Sequence, residues 1–140
     1  MKFIPSKIDG VFLIELEKRG DQRGFFSRMF CAEEFASAGL ESRFVQANTS
    51  FSAESATLRG MHYQRAPHAE AKLVKCVAGA LYDVALDLRP DSPSFGKYQA
   101  FELTSQNRSM VYIPKGCAHG FMTLLPNSEI MYLVSANYAP

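Results

Sequence analysis

Three stretches of the chain carry residue types able to move protons beside a carbonyl group. The first is Leu58-Arg59-Gly60-Met61-His62-Tyr63-Gln64, followed at short range by Lys72. The second is Ile113-Pro114-Lys115-Gly116-Cys117-Ala118-His119-Gly120-Phe121, and the third runs from Tyr132 to Pro140 with Tyr132 and Tyr138. An imidazole can accept a proton at cellular pH, which fits His62 for a general base. An ammonium in an apolar barrel is a fixed positive charge able to stabilise a developing oxyanion, the chemistry open to Lys72. A phenol such as Tyr132 can return a proton from the opposite face. Together these parts describe proton abstraction α to a carbonyl. Spacing alone does not make them face one another: a lone buried histidine is more often structural, and a strand tyrosine more often core.

The same histidines must be weighed as metal ligands. A β-barrel cage needs two histidines one residue apart, then a carboxylate and a third histidine. Here Gln64 stands at the second position and Lys72 where an acid is needed. Pro114, Gly116 and His119 do match the PxGxxH pattern of a second cupin half. One histidine per half plus a lysine is a poor donor set, so neither a metal nor an organic cofactor is expected. His68, on a Pro-containing loop, reads as a surface residue.

The elements that must position these groups are short strands. Strand readings fall at Gly10–Leu16, Phe25–Phe30, Phe44–Thr49, Thr57–Gln64, Lys72–Val77 and Leu81–Leu88. Further readings fall at Lys97–Leu103, Ser109–Ile113, Gly120–Leu124 and Glu129–Ser135. Gly20–Gly24 reads as a turn and Arg89–Gly96 as a loop, and Gly79 sits where a tight hairpin needs a glycine. Along Leu81–Leu88 both acids share one face while Val84, Leu86 and Leu88 share the other, the alternation of a half-buried strand. The one helical stretch is Ala32–Ala38, ended by Gly39. Many short strands with one short helix predict an all-β sandwich or barrel. The cluster Phe25, Phe26, Phe30, Phe44 and Phe51 reads mainly as core.

At 140 residues the chain suits one domain, 1–140. A net charge of +1 argues against strong attraction to nucleic acid or to an anionic membrane. No apolar run approaches the roughly 18 residues of a membrane span, and Met1–Gly10 lacks a signal-peptide pattern. Cys31, Cys76 and Cys117, odd in number and without CxxC pairing, read as reduced, buried thiols of a cytoplasmic protein, with catalytic use the minority reading.

The chain resembles the dTDP-4-dehydrorhamnose 3,5-epimerases, the cupin sugar-nucleotide epimerases of the rhamnose pathway, from about Gly10 to Pro140. The resemblance rests on the three stretches above and on Gly20-Asp21-Gln22-Arg23-Gly24-Phe25-Phe26 and Phe44-Val45-Gln46-Ala47-Asn48-Thr49-Ser50. Lys72-Leu73-Val74, Asp83-Val84-Ala85-Leu86-Asp87-Leu88-Arg89, Asp91-Ser92-Pro93-Ser94-Phe95-Gly96 and Asn137-Tyr138-Ala139-Pro140 extend it. It implies an antiparallel double-stranded β-helix, the cupin jelly roll, with one or two short helices and an active site inside the barrel. By the same resemblance His62 is the base that removes the protons at C3 and C5 beside a 4-keto group, Lys72 stabilises the enolate and Tyr132 is the acid. Arg59, Gln46, Asn48 and His119 would contact the sugar or diphosphate, and Tyr138 the nucleotide. Arg23 and Phe26 would line the nucleotide site, with Arg23 reaching into the partner of a homodimer that dimerises through its N-terminal strands.

Members of this family continue beyond the tyrosine-bearing segment into a tail carrying the aspartate that pairs with the base histidine. With the sequence ending at Pro140, the resemblance implies compromised or altered activity, from a truncated form, a short homologue or an inactive relative. In a short homologue another acid would serve, with Asp83 the first candidate. Two further function classes stand beside epimerisation: a 3,4-ketoisomerase of the related short cupins, and a non-catalytic cupin that binds a sugar nucleotide.

Overall fold

A computed structural model describes residues 1–140. Twelve strands follow in chain order: β1 (Lys2–Pro5), β2 (Phe12–Glu15), β3 (Arg19–Asp21), β4 (Gly24–Phe26), β5 (Gln46–Ser52), β6 (Leu58–His62), β7 (Lys72–Ala78), β8 (Ala80–Asp87), β9 (Tyr98–Thr104), β10 (Met110–Ile113), β11 (Cys117–Thr123) and β12 (Ser128–Val134). The only helix, α1 (Ala32–Ser37), is far too short to cross a membrane. The strands form an antiparallel six-stranded sheet, β1-β2-β10-β7-β12-β5, and a four-stranded sheet, β6-β11-β8-β9. β3 and β4 make a separate hairpin around the turn expected at Gly20–Gly24.

Most sequence readings fall on strands, and the differences have local causes. β1 was not anticipated: four residues that include Lys2 and Pro5 give little alternation, and the strand exists because it pairs with β2. The expected strand Phe25–Phe30 stops at Phe26. Phe25 and Phe51 are exposed, unlike the core assignment, whereas Phe30 and Phe44 pack edge-on around Phe35. Strand β8 alternates as read, and its acid-bearing face points inward, as the candidacy of Asp83 requires. Asp83 and Asp87 are fully buried beside Leu81 and Ala85.

Two apolar clusters flank the six-stranded sheet. Val74, Val111, Ile113 and Ile130 face Leu81, Ala85, Leu103 and Phe121 of the other sheet. On the far side Ile14, Leu73, Met110 and Tyr112 are covered by Phe35 of α1. Burying the Phe35 ring contributes about 3 kcal/mol, enough to hold a helix of six residues that could not stand alone. At the β7–β8 corner Gly79 adopts φ +71°, and a Cβ there would fall within 3 Å of Ser128.

Asp87 anchors the loop that follows β8. Its carboxylate accepts from Arg89 Nε at 2.9 Å, from the Arg89 backbone N–H at 3.0 Å, and from the hydroxyls of Ser92 and Ser94. Burial pushes this carboxyl up, but the bonds from Arg89, Ser92 and Ser94 outweigh it and hold it well below the usual carboxylate range. A carboxyl depressed in the folded state lends stability that is fully present above its unfolded value, about pH 4, and is lost as pH falls through the folded value. Urea unfolding below about pH 4 therefore shows stability falling with pH in the wild type, and falling less steeply in Asp87→Asn.

Candidate active site

The register of the six-stranded sheet builds one wall of a cavity. Val134 of β12 lies between Lys72 of β7 and Gln46 of β5, and Tyr132 lies between Val74 and Asn48. Successive strand residues alternate between faces, so these two neighbouring rows turn Lys72, Gln46, Tyr132 and Asn48 the same way. Ser50 and Ser52 continue the inner face of β5, whose Ala47, Thr49 and Phe51 point out to solvent.

The facing wall comes from β6 and β11, where regular pairing breaks. His62 lies opposite His119, yet Arg59 lies opposite Phe121, so β6 holds one residue more than its partner. Without that bulge, Arg59 and His62, three positions apart, would point to opposite faces. With it, both line the same hollow. Glycine is required at this crossing. Gly60 has φ +100°, and a Cβ on it would lie 2.7 Å from the Gly120 Cα and the His119 carbonyl oxygen. A Cβ on Gly120 would meet Met61 Sδ at 2.7 Å and the Arg59 carbonyl oxygen at 2.9 Å.

The walls enclose a cavity of about 710 Å³ lined by Gln46, Asn48, His62, Lys72, Tyr132 and Tyr138, together with Gln64 and Glu70. A second hollow of about 220 Å³, lined by Arg59 and His119, shares His62, Lys72 and Tyr132 with it. Volumes of this order suit a small organic ligand. Lys72 is 8% exposed, whereas His62 is exposed to the open side. Lys72 Nζ pairs with Glu70 Oε1 at 3.2 Å. Arg59 makes no ion pair with a strand acid; it donates from Nε to Ser52 Oγ and from Nη2 to the Phe51 carbonyl, both at 3.3 Å. Gln46 Nε2 donates to Asn48 Oδ1 at 2.8 Å.

Asp83 stands elsewhere than expected for an acid serving His62. Its Oδ2 lies 2.7 Å from His119 Nε2, and both side chains are buried. The β8–β11 register sets Asp83 opposite Phe121 and Ala85 opposite His119, which puts the carboxylate diagonally across from the His119 ring. The carboxylate thus orients His119, and Asp83 Oδ1 is left buried without a hydrogen-bond partner. Arg23 and Phe26 do not line the cavity. Both project from the β3–β4 hairpin, Arg23 paired only with Asp21, and Phe26 is 68% exposed.

Glu70 and Gln64 were not anticipated as cavity residues. A signal existed for Glu70: it lies two positions before Lys72, and an extended chain turns such residues to one side. His68 is exposed as expected. No three His, Cys, Asp or Glu side chains gather into a group able to hold a metal ion. Cys76 and Cys117 are buried and Cys31 is half-buried. Burial pushes the Cys117 thiol up to about 11 and raises Cys76 too, so neither is a ready thiolate nucleophile at neutral pH.

Two antiparallel sheets wrapped around a polar cavity make this a cupin-type jelly roll, with imidazole, ammonium and phenol side chains on shared walls. Residues 5–140 match the family described as dTDP-4-dehydrorhamnose 3,5-epimerase. The chain belongs to that family. An enzyme of that name from Sinorhizobium fredii is 44% identical over 139 residues, covering 99% of this chain and 71% of its own. The crystal structure of the Bacillus anthracis enzyme with TDP and PPi bound superposes with a TM-score of 0.94 at 40% identity, covering 99% of this chain and 79% of that one. The Legionella pneumophila enzyme, in complex with dTDP-4-keto-L-rhamnose, gives a TM-score of 0.91 at 39% identity, with 99% and 73% covered.

Proposed function

We propose that this chain inverts C3, C5 or both in a dTDP-4-keto-6-deoxyhexose, without metal or organic cofactor. The observation that carries the reading is that His62, Lys72 and Tyr132, from different strands, line the same two hollows. A C–H bond beside a ketone is acidic because the electron pair it leaves delocalises onto the carbonyl oxygen. His62 takes that proton, and the negative charge forming on the oxygen is met by the ammonium of the buried Lys72. The Tyr132 phenol gives a proton to the other face of the carbon, which inverts it; the phenolate then takes a proton from solvent and the His62 imidazolium releases one to solvent, which restores both. Because one ketone flanks both C3 and C5, the same base and cation serve either carbon.

Arg59 suits the diphosphate, since its planar fork donates two bonds to one phosphate group. His119, oriented by Asp83, lies with Arg59 along the smaller hollow, while Gln46 and Asn48 are placed for sugar hydroxyls and Tyr138 for the nucleotide. Arg23 and Phe26, too far out on their hairpin to line this cavity, are assigned to the nucleotide site of a partner in a homodimer. Residues 1–140 act as one cupin unit in the cytoplasm.

The test is solvent-deuterium incorporation into dTDP-4-keto-6-deoxyglucose, followed by mass spectrometry and NMR. Deuterium at C3 or C5 with inversion is the expected result. Exchange with a ketone moved to C3 would make the chain a ketoisomerase, and tight binding without exchange would make it a non-catalytic cupin.

A further inference from the structure

Glu70 lies inside the cavity, yet no step of the reaction above uses it. It shares the strand-like stretch that enters β7 with Lys72, and both side chains are only 10% exposed. Its Oε1 is 3.2 Å from Lys72 Nζ, and its Oε2 accepts from Gln64 Nε2 at 3.4 Å. Gln64 also donates to the Asn137 carbonyl at 3.2 Å and accepts from the Ala139 backbone N–H at 2.7 Å. One carboxylate therefore joins the ammonium to the amide that holds the Tyr138 segment against the cavity.

A lysine head rides on a flexible four-carbon stem and has three N–H donors but no fixed direction. Stabilising an oxyanion requires the donor to be in place before charge develops. An error of about 1 Å can cost on the order of 10²-fold in rate. The ion pair holds the Lys72 ammonium beside the Glu70 carboxylate by charge and leaves its N–H groups to point at a bound ketone.

We propose that Glu70 is a positioning residue that holds the Lys72 ammonium at the keto oxygen of the substrate; this rests on the reading of Lys72 as the partner of the enolate. Deuterium wash-in is measured for the wild type, Glu70→Ala, Glu70→Gln, Lys72→Ala and the double Glu70→Ala/Lys72→Ala, with folding checked by circular dichroism. In Glu70→Ala, kcat falls about 10–100-fold while KM changes less than about 3-fold, because the loss is felt only as charge develops. Glu70→Gln, which keeps the side chain's length but not the charge that makes the ion pair, stays within about 3-fold of Glu70→Ala. In the Lys72→Ala background the same Glu70→Ala change alters kcat by less than about 2-fold, since a residue acting through another loses its effect with it.

An unchanged kcat in Glu70→Ala, or an equal loss in the Lys72→Ala background, overturns the proposal. A wild type that exchanges no deuterium sinks the epimerase reading instead. The Lys72 ammonium resonance in a ¹⁵N-lysine spectrum still decides the pairing in that case. It should be resolved in the wild type and lost in Glu70→Ala; its persistence would show that Glu70 does not hold the amine.

Discussion

His62→Ala lowers deuterium wash-in at C3 and at C5 together by about 10²–10⁴-fold, the usual contribution of a positioned general base. The two carbons fall in parallel because they share one ketone and, on this reading, one base. Binding of dTDP, followed by calorimetry, changes little, since the imidazole is aimed at the sugar. The exposure of His62 makes the result interpretable. Truncating an exposed side chain shifts stability by roughly 0.5 kcal/mol at most, so a large loss of exchange with an unchanged melting temperature cannot come from unfolding. Exchange retained at one carbon would assign that carbon to another base.

Lys72→Met costs about 10²–10³-fold in exchange, as removal of an oxyanion donor does. This variant also changes stability, because it strands the Glu70 carboxylate. Breaking a buried pair by removing one partner costs about 3–5 kcal/mol, although the two partially exposed side chains here put the loss toward the lower end. The double variant Lys72→Met/Glu70→Gln removes both charges. Its urea midpoint recovers toward the wild type while its exchange stays low. Recovery of both would mean that Lys72 serves only to neutralise Glu70.

The strand-rich class was legible because alternation and turn residues are local signals. Lys72–Val77, Ser109–Ile113 and Glu129–Ser135 coincide closely with β7, β10 and β12. The direction of an alternating strand was less legible. In β8 the usual preference for buried apolar residues would turn Asp83 and Asp87 outward, and only the candidacy of Asp83 as an acid pointed the face inward. Their burial depends on His119, Arg89, Ser92 and Ser94, which reach them from distant positions or a following loop. The site triad could be nominated from residue types and from the family resemblance, but its assembly depends on the β7–β12 pairing and on the β6–β11 crossing, which no local window contains. The pairing of Asp83 with His119 was out of reach for the same reason: it is decided by β8–β11 register.

The irregular crossing of β6 and β11 acts as a phase shifter between the guanidinium of Arg59 and the imidazole of His62. Regular pairing of this segment at its present length would restore simple two-residue periodicity and send one of the two side chains, three positions apart, to the outer surface. The segment therefore tolerates no bulk at Gly60 or Gly120, although neither glycine takes part in proton transfer. Here one residue without an opposite number is what lets a guanidinium and an imidazole share one chamber.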